Sequence, residues 1–193
     1  MFVNVLVTGS SGQLGRALMH RQEQNFVFFT KSEFDITNHQ QVYDILSRLQ
    51  PNIVVNCAAY TNVDHAENDR ESAYNVNSIA VKNLAECCAK FSICLIHIST
   101  DYVFDGTHKG YYYEDDITMP RTIYGMSKLE GEKNIRKILD KHIIIRTSWI
   151  FSEYSKNFVK TMLNLGSLNE QISVINDQYG CPTSAHNLAC IIT

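Results

Sequence analysis

The sequence predicts an α/β fold, in which a Rossmann-like doubly wound parallel sheet carries helices on both faces. Short apolar runs rich in β-branched residues alternate with longer amphipathic runs, and a glycine-rich turn follows the first apolar run. Strands that are buried on both faces are almost continuously hydrophobic, and their alternation with helical segments is typical of parallel sheets. The pattern therefore favours this fold class over an antiparallel or all-helical one.

The predicted elements follow one another along the whole chain. Strands are expected at residues 3–7, 26–29, 53–56, 93–98, 143–146 and 172–175. Helices are expected where apolar residues recur at helical spacing, at residues 13–24, 40–49, 71–90, 124–139, 157–165 and 185–192. Residues 102–122, rich in tyrosine and acidic side chains, are predicted as a long ordered loop over a site.

The composition excludes several classes of function. A chain of 193 residues, 45 % of them hydrophobic, builds one sizeable domain, or one domain and part of another. The net charge of −3 gives no reason to expect a nucleic acid or an anionic membrane as partner, and no apolar run is long enough to span a bilayer. Six cysteines without Cys-x-x-Cys pairing indicate reduced thiols in a cytoplasmic protein, and seven dispersed histidines predict no metal site.

The turn after the first predicted strand holds Gly9, Gly12 and Gly15, with Gln13 and Leu14 between the last two. Glycines at this place let backbone N–H groups approach a pyrophosphate at the start of the next helix. An ordinary strand-to-helix turn is the alternative. The strand before the turn and the helix after it favour a dinucleotide site.

The segment after the second strand is expected to meet the adenosine end of such a cofactor. Thr30 and Lys31 stand where an acidic residue would bind the ribose 2′-hydroxyl of NAD. Hydroxyls and a lysine suit a 2′-phosphate, so NADP(H) is favoured while NAD(H) stays open, and a plain surface turn is the alternative. Asp35 and Ile36 are placed to meet the adenine, with a helix cap at Asp35 as the competing role.

The third and fourth strands end in small and polar residues. Ala58 and Ala59 leave room for a ligand at the carboxyl end of the third strand, and Tyr60 and Thr61 follow them. A tightly packed loop explains the two alanines equally well. Thr100 ends the fourth strand at the same edge, where it is placed to hydrogen-bond a substrate carbonyl, a polar strand end being the alternative.

Tyr124 and Lys128 are four residues apart and would share one face of a helix. An ammonium beside a phenol stabilises the phenolate, so we expect Lys128 to lower the pKa of Tyr124 from its ordinary value of about 10. With Thr100, this pair provides what is needed to protonate a ketone as a hydride arrives. Trp149, the only tryptophan, either walls a pocket or fills the core.

Taken together, these segments resemble the dTDP-4-dehydrorhamnose reductases, a family of extended short-chain dehydrogenases/reductases. The resemblance runs in register over nearly the whole chain. It rests on the segments VTGSSGQLG, DITN, VVNCAAYTNVDHAE, HISTDYVFDG, YGMSKLEGE, RTSWIF, NFVKTML and VINDQYGCPT. The succession of STDYVFDG and YGMSKLEGE is far more specific than a glycine motif.

The resemblance implies a role for each matching residue. Tyr124 would be the general acid, and Lys128 would lower its pKa and hold the nicotinamide ribose. Thr100 would orient the C4 carbonyl, with Asp101 beside it on the sugar, and Trp149 would close over the substrate. The residues implied to run along the cofactor are Gly12, Gln13, Leu14, Asp35, Ile36, Ala59, Tyr60 and Thr61.

The implied reaction is hydride transfer from NAD(P)H to C4 of dTDP-4-dehydro-6-deoxy-L-mannose, which gives dTDP-L-rhamnose for surface polysaccharides. Residues 1–150 would form the NAD(P)-binding Rossmann domain, and residues 151–193 the incomplete beginning of a substrate-binding part. The chain therefore resembles a C-terminally truncated member of the family. A nucleotide sugar is the expected partner, and a homodimer stays open.

Three alternatives remain at this point. The sugar nucleotide could be UDP-linked, because the missing segment carries much of that choice. The fold could instead serve without catalysis, as a dinucleotide-binding regulatory subunit similar to the β subunit of methionine adenosyltransferase, or as an inactive fragment. An epimerase or dehydratase of the same superfamily would need further acid–base groups beside Thr100, and YVFDG matches the reductases better.

Overall fold

The computed structural model describes residues 4–21, 23 and 25–193. Its main sheet has five parallel strands in the order β2-β1-β3-β4-β5. They are β1 (Val5–Thr8), β2 (Phe26–Phe28), β3 (Ile53–Asn56), β4 (Cys94–Thr100) and β5 (His142–Thr147). The winding direction reverses between β1 and β3, and ligands bind at such a switch point, outside the carboxyl ends of the strands. The predicted parallel α/β sheet is confirmed.

Helices cover both faces of this sheet. They are α1 (Gln13–His20), α2 (His39–Leu49), α3 (Val63–Ala66), α4 (Arg70–Tyr74), α5 (Ala80–Phe91), α6 (Ile123–Ile138), α7 (Phe158–Leu168) and α8 (Ala185–Ile192). A π-helical turn (Asn75–Ile79) joins α4 to α5, and a 3-10 turn (Asp101–Val103) follows β4. Two short strands, β6 (Ile150–Phe151) and β7 (Thr183–Ser184), pair in parallel as a second sheet.

The core lies in two layers, one on each face of the main sheet. Leu46 on α2, Leu84 on α5 and Ile135 on α6 pack in one layer. Leu18 on α1 and Leu188 on α8 pack in the other. Each fully buried side chain of this kind stabilises the fold by roughly 1.5–3 kcal/mol relative to exposure. The boundary at residue 150 stays a prediction, and α8 is a segment beyond it that shares the core of the sheet.

Several predicted elements differ from the structure in position or in kind. The strand predicted at residues 172–175 is wrong, because these residues pair with no strand in the described part of the chain. Ile172, Val174 and Ile175 are instead exposed. The helix predicted to begin at Gln13 ends at His20. Residue 3 of the first predicted strand and residues 22 and 24 of that helix lie outside the described residues.

The fourth strand runs further than its apolar residues alone predict. It begins at Cys94 and continues through Ser99 to Thr100, which pairs with Thr147 on β5. Ladder hydrogen bonds to β5 hold these polar residues in the strand. This extension places Thr100 at the carboxyl edge of the sheet.

Within the described residues, no helix combines the length and the apolar character that crossing a bilayer requires.

Candidate active site

A cavity of about 930 Å³ opens at the carboxyl edge of the sheet, above the ends of β1, β3 and β4. The structure brings nearly all the predicted site residues together around it. Those that line it are Gly9, Gly12, Gln13, Leu14, Gly15, Lys31, Asp35, Ile36, Ala58, Ala59, Tyr60, Thr61, Thr100, Asp101, Tyr124, Lys128 and Trp149. Thr30 lines a smaller adjoining pocket, which Lys31 and Asp35 also line.

The glycine turn has a shape that only glycines permit. Gly9 has φ +65°, and a Cβ there would lie 2.7 Å from the backbone nitrogen of Ala58. A Cβ on Gly15 would lie 2.5 Å from the Cα of Ser10. Gly12 is the N-cap residue of α1 and supplies no side-chain cap, so the first-turn N–H groups of the helix are left for a ligand. The turn therefore fits the pyrophosphate of a dinucleotide.

The side chain of Gln13 has a role that the sequence did not reveal. Its Nε2 donates to the carbonyl of Ile150 at 3.0 Å, and its Oε1 accepts from Ser152 Oγ and from Asn157 Nδ2. Only its backbone therefore remains for a pyrophosphate. The side chain ties the start of α1 to β6 and to the start of α7.

An acidic residue, Glu33, follows Thr30 and Lys31 in the turn after β2. Glu33 accepts hydrogen bonds from the backbone N–H of Thr30 at 2.9 Å and from its hydroxyl at 2.7 Å. These bonds lower the pKa of the Glu33 carboxyl. The Thr30 hydroxyl is therefore engaged within the turn, while Lys31 and Ser11 line both pockets.

Asn77 is a site residue that the sequence analysis missed. It is buried in the π-helical turn, where its Oδ1 accepts from the Tyr60 N–H at 2.9 Å. Its Nδ2 donates to the Tyr60 carbonyl at 3.0 Å and to Ser127 Oγ at 3.1 Å. It therefore fastens the loop after β3 to α6. The sequence gives one indication of this role, which is a polar asparagine at a position that the helical pattern places on the buried face.

Tyr124 stands in the first turn of α6, which Thr122 caps by accepting from the Gly125 N–H at 3.0 Å. Burial raises the pKa of the Tyr124 phenol to about 12, although its interaction with the Thr100 hydroxyl acts in the opposite direction. The negative charge of Asp101 adds to the increase. The expected lowering of this pKa by Lys128 is therefore wrong for this structure, because desolvation outweighs any charge nearby.

Lys128 lies one helical turn further along α6 and is only 1 % exposed. Its Nζ donates to the Ile98 carbonyl at 2.6 Å and lies 3.3 Å from Nε2 of His97. Burial lowers the pKa of Lys128 to about 8, although the carboxylate of Glu132 acts to raise it. The amine therefore holds its proton less tightly than an exposed lysine does.

An ion cluster around the buried Glu132 supports α6 on the side away from the cavity. Glu132 is fully buried and accepts from Ser99 Oγ at 2.5 Å. Arg146 on β5 binds both of its oxygens, at 3.0 and 2.7 Å, and Arg136 adds a third charged contact at 3.1 Å. Because Ser99 precedes Thr100, this cluster fixes the end of β4 against α6.

Trp149 walls the cavity and does not fill the core. It lines the cavity, remains 39 % exposed and has a left-handed backbone conformation with φ 46°. Gly180 packs on its indole so closely that a Cβ there would lie 2.7 Å from the ring. Phe158 at the start of α7 lies on the same side, 6.4 Å away between ring centroids.

The fold and this cavity define an α/β protein of the Rossmann-like class, with its ligand crevice at the carboxyl edge of the sheet. A family model described as the RmlD substrate binding domain matches residues 3–193, and the chain belongs to that family. The family resemblance inferred from the sequence is thereby confirmed.

Curated relatives carry the name dTDP-4-dehydrorhamnose reductase. The relative from Aggregatibacter actinomycetemcomitans is 44 % identical over 192 residues, which covers 97 % of this chain and 65 % of the relative. The relative from Escherichia coli K12 is 39 % identical over 193 residues, covering 97 % and 64 %. The chain thus spans slightly less than two thirds of the length of these relatives.

A solved structure has closely similar coordinates. The dTDP-4-dehydrorhamnose reductase of Bacillus anthracis, crystallised in complex with NADP, matches with a TM-score of 0.96 at 42 % identity. The match covers 100 % of this chain and 69 % of that one.

Proposed function

We propose that this chain carries the cofactor-binding and proton-donating part of an NADP(H)-dependent dTDP-4-dehydrorhamnose reductase. The observation that carries the proposal is a single cavity lined both by the glycine turn and by Thr100, Tyr124 and Lys128. Membership of the RmlD family and the similarity to an NADP complex support it. A homodimer and a cytoplasmic location are further parts of the proposal.

The cofactor would lie along the edge of the sheet. The first turn of α1 would hold the pyrophosphate, and Asp35 and Ile36 would flank the adenine. Lys31, which lines both pockets, is the cation available to a 2′-phosphate and favours NADP(H) over NAD(H). When bound, the reduced nicotinamide supplies the hydride that C4 of the sugar receives.

The protein's own contribution would be to orient the carbonyl and to protonate it. Thr100 would donate to the carbonyl oxygen while Asp101 binds the sugar beside it. Because burial raises the pKa of Tyr124 to about 12, the phenol keeps its proton at neutral pH. It would release that proton to the oxygen at C4 as negative charge develops there. Trp149 would cover the sugar from the side of α7.

The test is NADPH oxidation with dTDP- and UDP-linked 4-keto-6-deoxy sugars. It is run on this chain and on a chimera that adds the C-terminal third of a relative. We expect turnover of the dTDP sugar in the chimera, and a fall of about 10²–10⁴-fold in the Tyr124→Phe variant, which should fold normally. Near-normal turnover in that variant would show that Tyr124 is not the proton donor. Preference for the UDP sugar would overturn the choice of substrate.

A dinucleotide-binding module without turnover is the second candidate. The observation that favours it is the exposure of α7. This helix borders the cavity on the side where the sugar would bind, and none of its side chains is buried in the described part of the chain. NADPH binding by the chimera without oxidation of either sugar would decide for this second function.

A further inference from the structure

A network of buried polar groups, linked by hydrogen bonds, runs beneath the cavity from β1 to α6. Thr8 Oγ1 donates to Asn56 Oδ1 at 2.7 Å, and the Ala58 N–H donates to the same oxygen at 3.2 Å. Asn56 Nδ2 lies 3.1 Å from Nδ1 of His97, and Nε2 of His97 lies 3.3 Å from Nζ of Lys128. Asn56, His97 and Lys128, the three side chains of this network that follow one another, are each at most 1 % exposed.

The backbone determines the direction of these hydrogen bonds. A backbone N–H can only donate, so the Ala58 N–H requires the oxygen of the Asn56 amide on its side. The amide nitrogen therefore faces His97 and donates to Nδ1. Burial alone holds the pKa of His97 well below its ordinary value, and a charge on Lys128 would lower it further, so the ring is neutral and has one proton in either state of Lys128. With Nδ1 accepting, that proton lies on Nε2, toward Lys128.

This arrangement conflicts with a charged Lys128. An ammonium has three donors and no acceptor, so it faces the N–H of His97 donor to donor. An uncharged amine has one lone pair, which accepts from Nε2–H of His97 while an amine N–H still donates to Ile98. Reversing the tautomer does not help, because Nδ1–H would then face the donating amide of Asn56. Each hydrogen bond of this network has a donor and an acceptor only when Lys128 is neutral.

We propose that His97, oriented by Asn56, is a positioning residue that biases Lys128 toward its uncharged amine. Burial already lowers the pKa of Lys128 to about 8, and the N–H of His97 would act in the same direction. The inference deepens the proposed function, and its catalytic meaning rests on that function. An amine that exchanges its proton near neutral pH suits a site where the neighbouring phenolate must recover a proton after each reduction.

Other groups around Lys128 act in the opposite direction. The Glu132 carboxylate and the Cys57 thiol, in its ionised form, act to raise the pKa of Lys128. Arg146 and Arg136 partly neutralise Glu132. The titratable groups that act on Lys128 directly are Glu132 on α6, Cys57 after β3 and His97 on β4. The other titratable groups that line the cavity are Lys31, Asp35, Tyr60, Asp101, Tyr102, Tyr124 and Lys156. Burial opposes the charge of Lys128, and in the proposed arrangement the N–H of His97 opposes it as well.

The test is a nuclear magnetic resonance titration of the cofactor-free chain labelled at lysine and histidine. We expect the His97 ring in the Nε2–H tautomer. In His97→Leu, which removes that N–H with little change in volume, we expect the pKa of Lys128 to rise by about one unit, a tenfold change in proton affinity. His142→Leu on β5 is the matched control, since His142 contacts the Leu139 carbonyl and does not belong to the buried network. An unchanged or lower pKa in His97→Leu would overturn the proposal.

A second variant tests the direction of the bonds even if the first one does not fold. In Asn56→Asp a carboxylate of the same size accepts from His97, so the ring proton should move to Nδ1 and leave Nε2 to accept from the ammonium. The added negative charge alone also raises the pKa of Lys128, but it does not reverse the tautomer. Retention of the Nε2–H tautomer in this variant would contradict the proposal. Neither readout depends on turnover, so failure of the reductase function would leave the result standing.

Discussion

The two sides of the cavity differ in what supports them. The side of the glycine turn and Tyr124 stands on the closed core of the main sheet, where Leu84 and Val55 are fully buried. The other side stands on α7, where no side chain is buried and Leu163 is 69 % exposed. The segment after α7 is also exposed. We call the first the cofactor side and the second the substrate side, after the ligands proposed to bind there. The cofactor side rests on a closed core within the described fold, whereas the substrate side presents apolar side chains to solvent.

Gln13 joins the two sides. Its side chain bonds to Ile150, Ser152 and Asn157, so the glycine turn is tied to the start of α7 through one residue. The position of α7 thus depends on polar contacts at its first turn rather than on a buried face. Polar contacts of this kind contribute about 1 kcal/mol each, less than a buried leucine.

The largest expected difference between the sides is in stability. Leu84→Ala empties a fully buried position on α5 and should lower the free energy of unfolding by about 2–5 kcal/mol. Leu163→Ala on α7 removes the same atoms from an exposed position and should change it by less than about 0.5 kcal/mol. Urea denaturation of both variants measures this difference. Equal losses would mean that α7 is buried in solution, and would remove the contrast.

A smaller effect is expected where the cofactor side is held by polar contacts. Asn77→Ala leaves both backbone groups of Tyr60 without their partner, at a cost of about 1–3 kcal/mol. Because Tyr60 lines the cavity, we expect NADPH binding to weaken by about tenfold or more, as measured by fluorescence titration. Asn75→Ala is the control, since Asn75 lies exposed in the same turn. Equal affinities in both variants would show that the loop after β3 holds its shape without Asn77.

The sequence predicted the strands and the glycine turn of the cofactor side because these elements depend on local patterns. Near-continuous apolar runs define β1, β3 and β4. The turn needs a positive φ at residue 9, and a glycine at that position indicates this need. Asn77 escaped notice because its partners, Tyr60 and Ser127, lie 17 and 50 residues away. No local pattern records such contacts.

The sequence predicted the substrate side less well for a related reason. The apolar run at residues 172–175 has the composition of a strand, but a strand also needs a neighbour to bond with. The pKa of Tyr124 was misjudged because desolvation depends on the depth of the cavity, which spacing does not reveal. The Glu33 carboxylate was overlooked because only the folded turn brings it back to Thr30.

The most direct test of the central claim is calorimetric titration of this chain, as it stands, with NADPH. If the cofactor side is complete within the described fold, one molecule should bind saturably. Binding should be lost in Gly9→Ala, because an alanine Cβ there would lie 2.7 Å from the Ala58 backbone. Circular dichroism confirms that each protein is folded. Absence of saturable binding by the folded, unsubstituted chain would contradict the account.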